Sequence, residues 1–238
     1  MKLISFIGYS EKIDLVCSYA KVLQMLGKTV LVIDATTEKK YKYAIETLEN
    51  TQESYLIQYD SIDYAVGFES MNDVENYLCD SKINISLYDY VIIDLDNVKK
   101  YEFFGNRETE KRYFVFDTNM ISLKKNKEII STMQIYMQEQ ASEQKIKKIL
   151  YRGYMTRAYE KYFSDELNIL NANFEDNYIE IFEEEQDKML FLDSLLSGYM
   201  NLKKHSRGFI ISLAELIREV ESENDIYALK KIIKKGGM

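Results

Sequence analysis

Residues 2–8 read KLISFIG, residues 9–12 YSEK, residues 13–28 IDLVCSYAKVLQMLGK and residues 29–34 TVLVID, and this succession decides the fold. Leu3, Ile4, Phe6 and Ile7 form a short apolar run that stops at Gly8, whereas Val16, Ala20, Leu23 and Leu26 recur at helical spacing. Gly27 closes the helix, since the residue after a helix end commonly needs a positive φ that glycine adopts without steric cost. A second apolar run, Val30 to Ile33, ends on Asp34. Strand, helix and strand in this order make a βαβ unit, whose crossover helix packs on a parallel sheet. The expected class is α/β: a three-layer, doubly wound, mostly parallel sheet with helices on both faces.

Residues 88–97, YDYVIIDLDN, supply another continuous apolar run of the kind found in central parallel strands, with Asp94 near its carboxyl end. Together with the first unit it resembles the MinD/ParA (SIMIBI) group of P-loop ATPases. Lys12 lies fifteen residues before Gly27, as the phosphate-binding lysine does in that group. Asp34 falls on the aspartate that closes the second strand, and Asp94 on the Walker B aspartate. The resemblance is carried by residues 1–120. It implies Gly8, Lys12, Asp34 and Asp94 as nucleotide-binding positions, vestigial or weak, with ATP and magnesium as cofactors only if the site still works.

The loop departs from the family where the chemistry is done. Such loops read KGGxGK[ST], because glycines let backbone N–H groups approach phosphates, the lysine meets the β- and γ-phosphates and the hydroxyl binds magnesium. Here the span is Ile7-Gly8-Tyr9-Ser10-Glu11-Lys12-Ile13. Ile7 stands where the family's extra signature lysine would reach a partner's nucleotide, Tyr9 and Glu11 replace glycines, and Ile13 replaces the magnesium ligand. A carboxylate about 5 Å from a phosphate costs roughly 3 kcal/mol per charge at an effective dielectric of 20. Thr36 also stands where the family has a second carboxylate after Asp34. The resemblance therefore implies a P-loop fold without catalytic residues and without an expected cofactor.

Composition fits this class. The chain has 238 residues, 46% apolar and 29% charged, enough for one sizeable core. No apolar run reaches eighteen residues and no basic leader precedes an apolar segment, so the expected location is the cytoplasm, or the periphery of the inner face of the cell membrane. Cys17 and Cys79 have no metal-type spacing and read as buried free thiols, and His205 is the only histidine. That leaves little for a zinc site or a Ser-His triad, and no metal ligand set is expected. The net charge of -8 argues against a general nucleic-acid surface. Proline is absent, including after Asp94, where related ATPases commonly carry it.

Further strands are expected within 54–68, at Tyr113 to Phe116, Ile146 to Tyr151 and Asn177 to Phe182. Helices are expected over Tyr41 to Leu48, Met71 to Cys79, Leu123 to Gln140 and 155–163, and in the apolar runs Met189 to Leu202 and Phe209 to Val220. The charged KKYEFFGNRETEKR reads as a surface excursion. Residues 1–220 form one domain. Residues 221–238 comprise a polar spacer and a basic amphipathic helix, with Ile226, Leu229, Ile232 and Ile233 on one face and Lys230, Lys231, Lys234 and Lys235 on the other. That helix is either a weak interfacial membrane anchor, as MinD-type proteins carry, or a last packed element whose lysines answer the helix dipole.

Three functions follow. The first is a non-catalytic scaffold that recruits a protein partner in a division, pilus, secretion or partition system, as a homodimer or paired with a related ATPase. The second is an atypical ATPase or nucleotide sensor with Lys12 on phosphate and Asp34 or Asp94 on magnesium. The third is a ParA-like DNA binder using Lys145, Lys147, Lys148, Arg152 and Arg157, or Lys203, Lys204, His205 and Arg207; nucleic acid is the least expected partner.

Overall fold

The computed structural model describes residues 1–45, 53–105, 107–139, 144–169 and 173–235. Eight strands, β1 (Lys2–Ile7), β2 (Val30–Ala35), β3 (Tyr55–Tyr59), β4 (Ile62–Val66), β5 (Tyr90–Leu95), β6 (Lys111–Phe116), β7 (Ile146–Tyr151) and β8 (Phe174–Ile181), form one sheet. Their order is β3-β4-β2-β5-β1-β6-β7-β8, and only β3 runs antiparallel to its neighbour. The expected α/β class is therefore observed. Side chains alternate along each strand, so Ile4 and Phe6 enter one core while Leu3 and Ile7 enter the other.

The first core is covered by α1 (Ile13–Met25), the short α2 (Lys40–Ala44), α7 (Glu185–Ser197), α8 (Arg207–Arg218) and α9 (Ile226–Lys235). The second lies beneath α3 (Met71–Asp80), α4 (Val98–Lys100) with the π-helical turn Tyr101–Gly105, α5 (Met120–Glu139) and α6 (Arg157–Ile169). Ser70 caps α3 by accepting from the Asp73 N–H. The pieces expected within 54–68 form a hairpin turned by Asp60 and Ser61, both at positive φ, the geometry whose twist suits two-residue β-turns.

Several expectations change. The stretch expected as a surface excursion buries Lys100, Tyr101, Phe104 and Gly105, because its aromatic residues fill the second core. Cys17 is buried but Cys79 is exposed on α3. The run Met189 to Leu202 is not one helix: Gly198 takes φ +77° at the end of α7 and accommodates the chain reversal that separates it from a 3₁₀ turn, Leu202–Lys204. The helix expected at 155–163 extends to Ile169. Residues 46–48 and Gln140, expected as helical, lie outside the described residues. Among the described residues no helix is long and apolar enough to cross a membrane.

Candidate functional site

In parallel α/β sheets, ligands bind beyond the carboxyl ends of the strands. Here β1, β2 and β5 end side by side, and Asp34 pairs in register with Asp94. The two-residue period turns both carboxylates toward the face covered by α1. Gly8 leaves β1 at φ +146°, and a Cβ there would lie 2.1 Å from the carbonyl oxygen of Val115. The loop is thus held hard against β6. Residues 9–12 then turn the chain into α1, with Lys12 at its N-cap.

The four sequence-designated positions Gly8, Lys12, Asp34 and Asp94 come together, and they bind one another. Lys12 is 1% exposed. Its ammonium donates to the carbonyls of Gly8 (2.7 Å) and Leu95 (3.1 Å) and sits 2.6 Å from Asp94 Oδ1, itself 1% exposed. Two of its protons are thus given to carbonyls, and the Asp94 contact is a close ion pair outside hydrogen-bond geometry. The other Asp94 oxygen accepts the hydroxyl of the buried Tyr41 at 2.8 Å. Burial, then the neighbouring Asp94 charge, holds the Tyr41 phenol far above its ordinary range.

Asp34 is tied differently. Its Oδ1 accepts from the Thr36 amide (3.1 Å) and hydroxyl (2.6 Å), and its Oδ2 from the Tyr41 amide (2.9 Å). Burial pushes its carboxyl up to about 6, although the Thr36 bonds pull the other way. A folded-state value above the unfolded one adds stability that is complete at low pH and lost as pH rises through the folded value. Relative to Asp34→Asn, native stability should fall by about 3 kcal/mol between about pH 4 and pH 6, two units at about 1.4 kcal/mol each. Urea midpoints of both proteins across that range test this, and a constant difference would refute it.

Around this centre the loop is bound on every side. Glu11 pairs with Lys40 at 2.8 Å; burial opposes ionisation, but the lysine brings the carboxyl below its usual value. Asn126 of α5 accepts the Tyr9 amide at 2.7 Å. Arg152, at the end of β7, bonds both Asp14 on α1 and Glu183, fastening the start of α1 to the far strands. Thr37 donates its amide and hydroxyl to Asp96, which also accepts from Asn97.

A magnesium nucleotide requires free cationic donors, open backbone amides and a hydroxyl on the metal. Among the described residues the loop lysine is bound internally, position 13 is isoleucine, and no three His, Cys, Asp or Glu side chains form a metal ligand group. Ser10 Oγ and Asn126 Nδ2 are buried without partners, but neither carries the charge a phosphate needs. The residues in this conformation do not fit the nucleotide. Tyr41, Asn126 and Arg152 were not singled out by sequence as parts of this centre, because each arrives from a segment with no motif of its own.

The remaining designated residues lie elsewhere. Lys147 pairs with Glu175 at 2.8 Å, Lys148 donates to the Asp176 carbonyl and Arg152 is bound as above, so two of the five cations of the first basic cluster are held by carboxylates, while Lys145 and Arg157 are exposed. His205 is buried, stacked on Phe209 and 3.2 Å from Asp187, which removes it from the second cluster's surface. On α9, Leu229 and Ile233 are buried in the first core and Ile226 packs against it, while Ile232 is half-buried. Lys231, Lys234 and Lys235 are exposed and Lys230 is half-buried.

No family model matches the sequence, and no curated protein matches it. Solved structures do. A chain of the MinC:MinD cell division protein complex of Aquifex aeolicus superposes with a TM-score of 0.60 at 17% identity, covering 94% of this chain and 98% of that one. A plasmid partition protein from Borrelia burgdorferi bound to AMPPNP gives 0.55 at 14% identity, covering 98% of each. Cobyrinic acid a,c-diamide synthase from Mycobacterium smegmatis gives 0.56 at 12%, covering 94% and 96%. At these identities the likeness is one of architecture, and the chain has the mostly parallel α/β P-loop fold of the MinD and ParA proteins.

Proposed function

We propose that this chain is a non-catalytic, MinD/ParA-like scaffold that recruits a protein partner at a cellular location, in a division, pilus, secretion or partition system, without ATP as a timer. One observation carries the reading: Lys12 is buried, donates to the carbonyls of Gly8 and Leu95 and is paired with the Asp94 carboxylate within the protein. Phosphoryl transfer is mostly positioning and electrostatic stabilisation. A phosphate entering here would have to detach the lysine from a buried carboxylate and then lie near Glu11. Domains 1–220 and 221–238 act as one body in this reading, since α9 packs its apolar face on the first core. Self-association, or pairing with a related ATPase, would be independent of nucleotide.

Thermal unfolding with and without millimolar MgATP and MgADP tests the proposal. A native-state ligand at about a hundred times its Kd adds about 2.7 kcal/mol, or roughly 5–10 °C for a chain of this size. The expected result is an unchanged midpoint. A rise of that size would replace the scaffold with an unconventional nucleotide site built on Lys12, Asp34 and Asp94.

A further inference from the structure

The two basic segments that are separate in sequence, around Arg207 and within residues 230–235, meet in space. Helices α8 and α9 pack together, and α9 also contacts the turn carrying Lys203 and Lys204. Between α8 and α9 runs an open groove of about 430 Å³. One wall is Arg207 with Ile210 and Ile211 of α8; the other is Tyr227, Lys230, Lys231 and Lys234 of α9, with Lys235 at the end. Residues 227, 230, 231 and 234 are one stripe of a helix, and 207, 210 and 211 one stripe of its neighbour.

Among the described residues none of these five cations forms an ion pair or side-chain hydrogen bond, and none of the described residues lining the groove is acidic. The helix dipole accounts for Lys234 and Lys235 in the last turn of α9. It does not account for Arg207, which opens α8 at the end where the dipole disfavours a cation. Beside the charges lie Ile211, half-buried, and Tyr227, 73% exposed. Cationic walls with an apolar strip match an acidic segment that carries apolar side chains.

We propose that this groove binds a short acidic-apolar segment of a partner protein. Size decides between anionic occupants. The whole chain carries a net charge of -8, and exposed charges act over a Debye length of about 8–10 Å. A membrane surface or a nucleic-acid duplex extends beyond the groove and meets that negative charge, whereas a short peptide meets the groove alone. The apolar residues Leu229 and Ile233 face the core, which leaves them no part in inserting into lipid. This inference deepens the recruitment reading by giving it a surface.

The test uses the full-length protein and a fluorescently labelled peptide of alternating glutamate and leucine pairs. Expected are saturable binding that weakens as salt rises, about tenfold weaker binding to Lys231→Glu/Lys234→Glu, and none by the same peptide with glutamine for glutamate. The substituted lysines are exposed, so the variant's melting midpoint should fall by no more than about 3 °C, the cost of a reversed charge at the end of α9; Arg207→Glu gives an independent second variant. Absence of peptide binding, or binding indifferent to both variants, overturns the proposal. So does equal binding of phosphatidylserine vesicles or duplex DNA through the same residues. Failure here with a nucleotide-independent midpoint removes the groove and leaves the scaffold reading, while a midpoint raised by MgATP does the reverse.

Discussion

Replacing Lys12 by methionine is expected to cost about 3–5 kcal/mol, because it leaves the buried Asp94 carboxylate without its counter-charge. For a chain of this length that is a fall of roughly 10 °C in the unfolding midpoint. The size follows from the surroundings. Asp94 would retain one phenolic bond from Tyr41, and the carbonyls of Gly8 and Leu95 would each lose a donor. Removing both charges together, as Lys12→Met with Asp94→Leu, should return most of the loss, since a buried ion pair adds little net stability over apolar side chains of similar size. Chemical unfolding of the parent, both single variants and the double variant gives the coupling directly. A single-variant loss under about 1 kcal/mol would show that water reaches the pair. That result would reopen the loop to ligands.

Gly8→Ala should be about as damaging, near 4 kcal/mol, and its cause is geometric. At φ +146° the new methyl would lie 2.1 Å from the Val115 carbonyl oxygen, and that oxygen belongs to the backbone of β6. Relief requires moving β6 from β1 or rotating the loop, which would break the Gly8 N–H bond to Leu95 at 2.9 Å and displace the Lys12 acceptor on the same residue. Gly27→Ala is the matched control. It also has positive φ, +78°, but nothing lies within 4 Å of its added Cβ, so it should cost only about 1–2 kcal/mol. Equal losses in the two variants would mean that the left-handed backbone, and not the close approach to β6, constrains Gly8.

The two sites differ in how far they were legible. The P-loop position was readable because its parts are local: the strand that stops at Gly8, the helix that starts after Lys12, and the aspartates at the ends of apolar runs. Each is fixed by periodicity within a few residues. The sequence also showed the replacements at positions 7, 9, 11 and 13. It could not show what those replacements leave the lysine to do. Tyr41 bonds Asp94 across 53 residues, Asn126 bonds Tyr9 across 117 and Arg152 bonds Asp14 across 138. No pattern in their own segments announces a role.

By itself the sequence determined most of the strands and helices, the parallel class of the sheet and the place where its carboxyl ends gather, because apolar periodicity and glycine punctuation are short-range properties. Only the tertiary structure decided that Lys12 is held by Asp94, that the apolar face of α9 is buried against the domain, and that Arg207 and the lysines of α9 form one groove. Those outcomes depend on which side chains meet across the sheet and between helices, and on the loss of water around them. Burial sets the strength of a charge pair, and burial is a property of the packed chain.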